Sequence, residues 1–327
     1  MRTITLEEHF ATPASMEGPR GGPGRQGQGP GENLAFTQFA KKLLDIGDAR
    51  IADMDAAGID VQVLSLASPG VEQLEGAGSV AAARAANDYL AEAVKRHPSR
   101  FAAFAALPTP APDAAADELE RTVREYGFKG AMIRGHSRGR YLDDEFFWPI
   151  LERAEKLQVP LCLHPAPPPP QVIAASYTGN FAPGVTSVLS TRAWGWHIET
   201  ATHVLRLILS GAFDRYPTLQ MVIGHMGEAL PFMLPRIESS LPVQLTKLER
   251  PIGAYLRENV HYTFSGFNFT ATFLDLLLQA GVDRIMFSAD HPFGSMAQAR
   301  AFLDQLPVST ADRERIAHGN AERLLRL

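Results

Sequence analysis

Five acidic and histidine residues stand at the ends of short apolar runs, where they are well placed to do chemistry. They are Glu7 and His9 in LEEHF, His164 after PLCL, His225 after MVIG and Asp290 after RIMFSA. Successive side chains of a strand point to opposite faces, so Glu7 and His9 share one face while Glu8 points to the other. Imidazole nitrogens and carboxylate oxygens suit a divalent first-row metal such as zinc, manganese or iron. The pattern therefore predicts a metal site.

Short apolar runs alternate along the chain with longer amphipathic ones, which predict helices such as 36–57, 112–126 and 227–239. The strands predicted from the short runs are Thr3–Leu6, Val61–Leu66, Phe101–Ala106, Gly130–Ile133, Val159–Leu163, Gln220–Gly224, Val260–Phe264 and Arg284–Ser288. Strand then helix, repeated eight times, is typical of a (β/α)8 TIM barrel in the α/β class, and we expect a single domain over residues 1–327. An open doubly wound sheet is the alternative.

In a barrel the C-terminal ends of the strands converge on one face, which would bring the five polar residues together. Ile4 and Leu6 are apolar and suit the helix-facing side of the first strand, so we expect Glu7 and His9 to face the barrel axis. Simpler roles stay open for single residues, because a histidine at a strand end often makes only structural hydrogen bonds. Asp290 is likewise suited to cap a helix at SMAQARAFL. The joint placement at strand ends favours the metal site.

Two irregular segments follow predicted strands. Residues 17–33, EGPRGGPGRQGQGPGEN, contain too much glycine and proline for a helix or strand. Since loops after strands lie on the catalytic face of a barrel, we interpret residues 11–35 as a flexible loop over the active-site face, with a disordered spacer as the alternative. Residues 164–184, HPAPPPPQVIAASYTGNFAPG, are expected to be irregular and to line the same mouth.

Composition narrows the class of partner. The chain has 31 basic and 36 acidic residues, a formal charge of −5, and no block of one sign that would suggest a nucleic-acid or membrane surface. No signal core or membrane-spanning run is visible, so a cytoplasmic location is expected. The single cysteine, Cys162, excludes an internal disulfide framework and a multi-cysteine metal site. We therefore expect a small-molecule partner.

Four segments resemble the amidohydrolase superfamily, and more narrowly its metal-dependent decarboxylases of hydroxybenzoic acids, such as γ-resorcylate and 2,3-dihydroxybenzoate decarboxylases. These segments are LEEHF, PLCLHP, residues 194–238 with GHMGE, and RIMFSADHPF. The resemblance implies a TIM barrel that holds one divalent ion, Zn2+ or Mn2+, and usually a homodimer or homotetramer. Its metal ligands would be Glu7, His9, His164 and Asp290. Many superfamily members carry His-x-His on the first strand, whereas the hydroxybenzoate decarboxylases carry Glu-x-His, as this chain does.

The resemblance also assigns residues around the metal. His225 and Glu228 would form a catalytic or supporting pair, and Arg236 matches an arginine near the substrate pocket. Two positions depart from the pattern: Gly294 stands where relatives have an acidic residue, and Arg134 stands where a small polar residue near the substrate is expected. We predict that Arg134 and Arg236 contact the substrate. Both departures lie where substrate specificity is set, so they concern the identity of the substrate more than the presence of the metal.

The negative charge that loss of carbon dioxide would leave on an aromatic ring indicates which reaction the site could catalyse. Loss of carbon dioxide from an aromatic acid avoids an aryl anion if the ring carbon is protonated first, and Asp290 is placed to carry that proton, with His225 and Glu228 tuning it. The predicted activity is thus non-oxidative decarboxylation of a hydroxylated aromatic acid. The alternative enzyme is a hydrolase, in which Asp290 takes a proton from a metal-activated water that attacks a lactone, ester or amide. A barrel that only binds a ligand would be expected to lack a metal ligand.

Overall fold

The computed structural model describes residues 1–17 and 39–327. The loop predicted over 11–35 therefore lies outside the described residues except for its first seven positions. Those positions include a short helix, α1 (Pro13–Glu17).

Eight parallel strands form a closed barrel, as predicted. They are β1 (Ile4–Phe10), β2 (Val61–Leu66), β3 (Phe101–Ala103, continued at Ala105–Ala106), β4 (Ala131–Arg134), β5 (Leu161–His164), β6 (Met221–Ile223), β7 (Val260–Thr263) and β8 (Ile285–Met286). Each strand pairs in parallel with the next. Residues after β8 close the ring on β1, because the Leu6 N–H donates to the Phe287 carbonyl at 3.2 Å. Closure excludes the open sheet.

Helices follow the strands and form the outer layer. They are α2 (39–44), α3 (Asp48–Ala57), α4 (Gly76–Arg96), α5 (Pro112–Tyr126), α6 (Trp148–Leu157), α7 (Pro170–Ser176), α8 (Pro183–Ser190), α9 (Gly195–Leu209), α10 (Ala212–Arg215), α11 (Leu230–Ser240), α12 (Val243–Thr246), α13 (Ile252–Glu258), α14 (Thr270–Ala280), α15 (Met296–Asp304), α16 (Thr310–Glu314) and α17 (Asn320–Leu325). Over the described ranges, no helix is both long enough and apolar enough to span a bilayer.

Strand residues alternate between two apolar layers. Residues such as Leu64, Ile133 and Leu163 point outward and pack against the helices. The inward residues fill the barrel, and α17 closes its N-terminal end. The members of this inner layer are Ile4, Leu6, Val61, Val63, Ala102, Phe104, Met132, Cys162, Val222, Met286, Ala321 and Leu325. This packed interior leaves the polar residues at the C-terminal ends of the strands as the floor of a site.

The predicted phase of β1 is wrong for its first half. Ile4 and Leu6 lie inside the barrel, not on the helix-facing side. The pairing with β2 then shifts between Thr5 and Glu8, and Glu7 has a left-handed backbone with φ 68°. This β-bulge turns Leu6 and Glu7 to the same side, where both line one small void. Glu7 and His9 therefore face inward as predicted, but the bulge, not simple alternation, puts them there.

Three helical predictions also need correction. The helix predicted over 36–57 is divided in its described part into α2 and α3, with Gly47 in an extended conformation between them. Residues 164–184 are not wholly irregular, since Pro170 starts α7, the position in a helix that proline favours. The helix predicted over 227–239 begins later, at Leu230, because residues 225–229 form a left-handed turn.

Candidate metal centre and active site

The structure brings the four predicted metal ligands together at the C-terminal face of the barrel. The Nε2 of His9 lies 3.0 Å from Oδ1 of Asp290, and the Nε2 of His164 lies 3.8 Å from Oε1 of Glu7. His9, His164 and Asp290 offer ligand atoms that all lie within 4.8 Å of one another. Glu7 and His9 come from β1, His164 from the end of β5 and Asp290 from the loop after β8.

This donor set fits a divalent cation. The Oε1 of Glu7 is buried and makes no hydrogen bond within the described parts of the chain, while Oε2 accepts from the Thr263 hydroxyl at 2.7 Å and from Ser265. The Nδ1 of His164 lies 2.8 Å from the Pro165 carbonyl, which only accepts, so Nδ1 carries the proton of the neutral imidazole. The lone pair of Nε2 is then available to a metal ion. A buried carboxylate oxygen without a partner is costly unless a cation is bound to it.

The backbone is strained where the site is built. Glu7, Asp290 and His225 have positive φ angles of 68°, 59° and 50°, which residues with side chains adopt rarely. Such conformations persist only where surrounding structure imposes them, and they cluster at functional sites. In each case the unusual backbone turns a polar side chain toward the same end of the barrel.

Burial keeps the imidazoles of two predicted metal ligands, His9 and His164, neutral. It holds the pKa of His9 and of His164 well below the usual value, and the positive charge of Arg134 adds to the effect. A neutral imidazole is the form that binds a metal ion. Burial has the opposite effect on Asp290, where it raises the pKa of the carboxyl well above its usual range.

His225 and Glu228 form a pair beside these ligands, as predicted. The left-handed turn at 225–229 folds the Glu228 carboxylate back so that Oε1 lies 2.7 Å from Nδ1 of His225. Burial disfavours the charged imidazole, but the Glu228 carboxylate outweighs it and raises the pKa of His225 to about 10. His197 was not predicted from the sequence, yet its Nδ1 lies 2.5 Å from Oε2 of the same carboxylate. Its position inside the segment WGWHIE carried no signal that it faces GHMGE.

Arg134 lies at the end of β4, behind the predicted metal ligands. Its Nε donates to the Leu66 carbonyl at 2.6 Å, and its Nη1 and Nη2 lie 3.0 and 3.1 Å from Nδ1 of His164 and Nδ1 of His9. Burial lowers the pKa of Arg134 to about 10. The guanidinium therefore lies directly behind the two imidazoles, and its predicted contact with the substrate stays a prediction.

Arg236 is not brought into this cluster. It lies on the exposed face of α11, and the described residues give its guanidinium no hydrogen bond or ion pair, so its role in substrate binding also stays a prediction. Gly294 closes the turn after Asp290. A side-chain carbon there would lie 2.1 Å from the Ala289 carbonyl oxygen, so this loop has no room for the acidic residue expected from the resemblance.

Glu8 also has a role that was not predicted from the sequence. It points outward from β1 but is fully buried, and its Oε1 and Oε2 accept the backbone N–H groups of Ala289 and His291 at 2.9 and 3.0 Å. Burial raises the pKa of Glu8 to about 7, although these two donors and Arg50 oppose it. Glu8 thus holds the backbone on both sides of Asp290.

Aromatic rings flank the site. Phe267 lies 5.4 Å from the ring of His225, and Phe293 lies 5.7 Å from the ring of His9, measured between ring centroids. Phe39 in turn packs against Phe293 at 5.5 Å. Flat apolar side chains beside a polar floor suit a planar ligand with one charged end.

Comparison with known proteins gives consistent matches. Residues 41–327 match the amidohydrolase family. A γ-resorcylate decarboxylase from Rhizobium radiobacter is 40% identical over 336 aligned residues, which cover 99% of this chain and 98% of the relative.

Two solved structures are similar over the whole chain. The structure of 2,6-dihydroxybenzoate decarboxylase with 2,6-dihydroxybenzoate has 38% identity and a TM-score of 0.89, with 100% of each chain covered. A dihydroxybenzoic acid decarboxylase from Polaromonas sp. JS666, with bound manganese and the inhibitor 2-nitroresorcinol, has 38% identity and a TM-score of 0.89 over 100% of this chain and 97% of that one.

Proposed function

Because the chain belongs to the amidohydrolase family, we propose that it is a metal-dependent, non-oxidative decarboxylase of a hydroxylated aromatic acid, with 2,6-dihydroxybenzoate as the first substrate to test. The observation that carries the proposal is the assembly of Glu7, His9, His164 and Asp290 at one end of the barrel. Relatives that share this chain's full length act on such acids.

The four residues would hold one divalent ion, and manganese is the ion bound in the Polaromonas relative. Such an ion supplies Lewis-acid binding of the substrate carboxylate and of the neighbouring hydroxyl oxygen. On this side of the site, Glu7 Oε1 and His164 Nε2 make no hydrogen bond to any described residue and would be available to the ion. Phe267 and Phe293 would then contact the faces or edges of the substrate ring.

Asp290 is the group proposed to move the proton. Burial raises the pKa of its carboxyl, and the oxygen that does not bind the metal would carry the proton. That proton passes to the ring carbon that bears the carboxylate and forms a new C–H bond. The C–C bond to the carboxylate then breaks, its electron pair returns to the ring, and carbon dioxide leaves. Asp290 is left as a carboxylate that must regain a proton from solvent before the next turnover.

His225 and Glu228 support this transfer. The raised pKa of His225 keeps its imidazole protonated, and the buried Glu228 carboxylate fixes the ring through Nδ1. A fixed positive charge at this position stabilises the negative charge of the substrate without the need to reorient water. It also lowers the pKa of Asp290 relative to burial alone, so the proton is not held too tightly to be transferred.

We also propose that copies of the chain associate. Phe232 on α11 and Leu278 on α14 are 75% and 84% exposed, and these two helices pack against each other. Large apolar side chains exposed on neighbouring helices are typical of an interaction surface. In the C-terminal segment, the apolar residues Ile316 and Ala321 are instead buried against the barrel.

The experiment compares carbon dioxide release from a panel of acids by manganese-loaded protein. We expect release from 2,6-dihydroxybenzoate, less or none from benzoate, which lacks the neighbouring hydroxyl groups, and loss of activity in Asp290→Asn. A lactone and an aryl ester are included to test hydrolysis. The proposal fails if no hydroxybenzoate releases carbon dioxide, and acid release from the lactone or ester would identify a hydrolase instead.

A further inference from the structure

His197 makes two polar contacts from the first turn of α9. Its Nδ1 lies 2.5 Å from Oε2 of Glu228, and its Nε2 lies 3.1 Å from the Arg192 carbonyl oxygen. The ring also packs at 4.8 Å from that of His225 and at 5.1 Å from that of Phe267, between centroids. Glu228, with no exposed side-chain surface, thus lies between two imidazoles, His225 at Oε1 and His197 at Oε2.

The hydrogen-bond partners of His197 limit the protonation states that the His197–Glu228 pair can adopt. A backbone carbonyl only accepts, so Nε2 of His197 carries a proton. At 2.5 Å a bare Nδ1 and a bare carboxylate oxygen would face each other with lone pairs, which is repulsive. A second proton therefore lies between Nδ1 and Oε2. The pair is either an imidazolium with a carboxylate or an imidazole with a carboxylic acid, and in both forms its net charge is zero.

We propose that His197 is a positioning residue for the proton transfer, an inference that rests on the proposed function. Its proton anchors Oε2 and so fixes the plane of the Glu228 carboxylate, which in turn fixes the ring of His225 through Oε1. Without His197 the carboxylate has one anchor instead of two and is free to turn about its last bond. His197 makes no direct contact with the four metal ligands in the described residues, so it acts through Glu228.

Two nearly isosteric substitutions separate the two contacts. The amide nitrogen of an asparagine side chain occupies the place of a histidine Nδ1, whereas that of glutamine occupies the place of Nε2. His197→Asn therefore keeps a donor to Glu228 and loses the bond to Arg192. His197→Gln keeps the bond to Arg192 and loses the donor to Glu228.

The kinetic test compares kcat and KM for these variants in metal-loaded protein. We expect His197→Gln to lower kcat by about 10- to 100-fold, the usual effect of removing a partner of an active-site residue, with little change in KM. His197→Asn should keep most of the wild-type kcat. A purely structural role through the Arg192 carbonyl predicts the reverse order of the two variants and would overturn the proposal.

His203→Gln is the matched control. His203 lies on the same helix, is also buried, and accepts the Leu142 N–H through Nε2 at 2.8 Å, a role that a glutamine oxygen can take over. The His203→Gln variant should have the wild-type kcat. An equal loss of kcat in His203→Gln and His197→Gln would show a general effect on α9 and would contradict the proposal.

A spectroscopic readout is independent of catalysis. The proton between His197 and Glu228 should give a proton NMR resonance far downfield of the amide signals in zinc-loaded protein, where the metal is diamagnetic. We expect this signal to be absent in His197→Gln and in Glu228→Gln and present in His203→Gln. If the signal is present but no acid is decarboxylated, the proposed function fails and the hydrogen bond stands. Because His225 places a second proton on Glu228, through Oε1, His197→Gln should remove one downfield signal and keep another; if no downfield signal is lost, the role assigned to His197 is wrong.

Discussion

Replacement of Glu8 by glutamine tests how the fold positions Asp290. Both oxygens of Glu8 accept buried N–H groups, from Ala289 and His291 on either side of Asp290. Glutamine has one acceptor oxygen and one NH2 group, so one of the two N–H groups loses its acceptor and faces a donor instead. Because burial raises the pKa of Glu8 to about 7, the comparison is made at pH 8, where the wild-type carboxylate is ionised.

The expected magnitude follows from that count. A buried N–H without an acceptor costs about 1–3 kcal/mol, so the free energy of unfolding of metal-free protein should fall by about that amount. The loop that carries Asp290 is then held on one side only. Since residues that orient a metal ligand commonly contribute 10- to 100-fold to affinity, we expect manganese affinity to fall by about that factor.

The assays are urea denaturation of metal-free protein and competition with a chelator for manganese. Glu92→Gln, at an exposed position of α4, is the control and should change neither quantity. Glu7→Gln should lower metal affinity without loss of stability, because it removes a buried negative charge whose Oε1 has no partner among the described residues. If Glu8→Gln retains wild-type stability and wild-type metal affinity, the reasoning about Asp290 is refuted.

Three further predictions concern other parts of the molecule. Gly224→Ala should lower manganese affinity in a chelator competition, because the added carbon would lie 2.6 Å from both carboxylate oxygens of Glu7; unchanged affinity would contradict this packing. Burial holds the pKa of His203 and His261 at about 3 in the fold, against 6.5 for an ordinary histidine. The unfolded chain therefore binds more protons below pH 6.5, and the free energy of unfolding should fall toward pH 3 by about 1.4 kcal/mol per pH unit for each histidine. Urea titrations should show a shallower slope for His203→Gln, and an unchanged slope would refute the assignment. Phe232→Asp should reduce the mass found by light scattering if copies associate through α11, and a mass equal to that of wild type would count against that surface.

Local sequence patterns predicted the strands well, because each strand alternates inward and outward apolar residues and ends at the same polar face. The same patterns failed at Glu7. Alternation of apolar residues does not reveal a β-bulge, so Ile4 and Leu6 were predicted on the wrong side of β1 although Glu7 and His9 were predicted on the correct one. The bulge between Thr5 and Glu8 reverses the inward and outward alternation of side chains, and this reversal puts Glu7 and His9 on the inner face.

Contacts between distant segments account for the rest of what the sequence did not reveal. Glu8 bonds to residues 289 and 291, and His197 bonds to Glu228, which lies 31 positions away. Neither contact follows from local spacing, since each depends on how a strand or helix packs in the closed barrel. Arg134 is an unusual residue at its position in the sequence, but only the fold shows that it lies behind His9 and His164.

The central claim is that a proton replaces the carboxylate on the ring carbon, and the most direct test is the reaction of 2,6-dihydroxybenzoate in D2O. Manganese-loaded protein should release one carbon dioxide for each molecule of product, and mass spectrometry with NMR should place one deuterium on the carbon that lost the carboxylate. A control without protein corrects for exchange at other ring positions. Recovery of unchanged acid, with no carbon dioxide released by protein shown to hold its metal, would contradict the account.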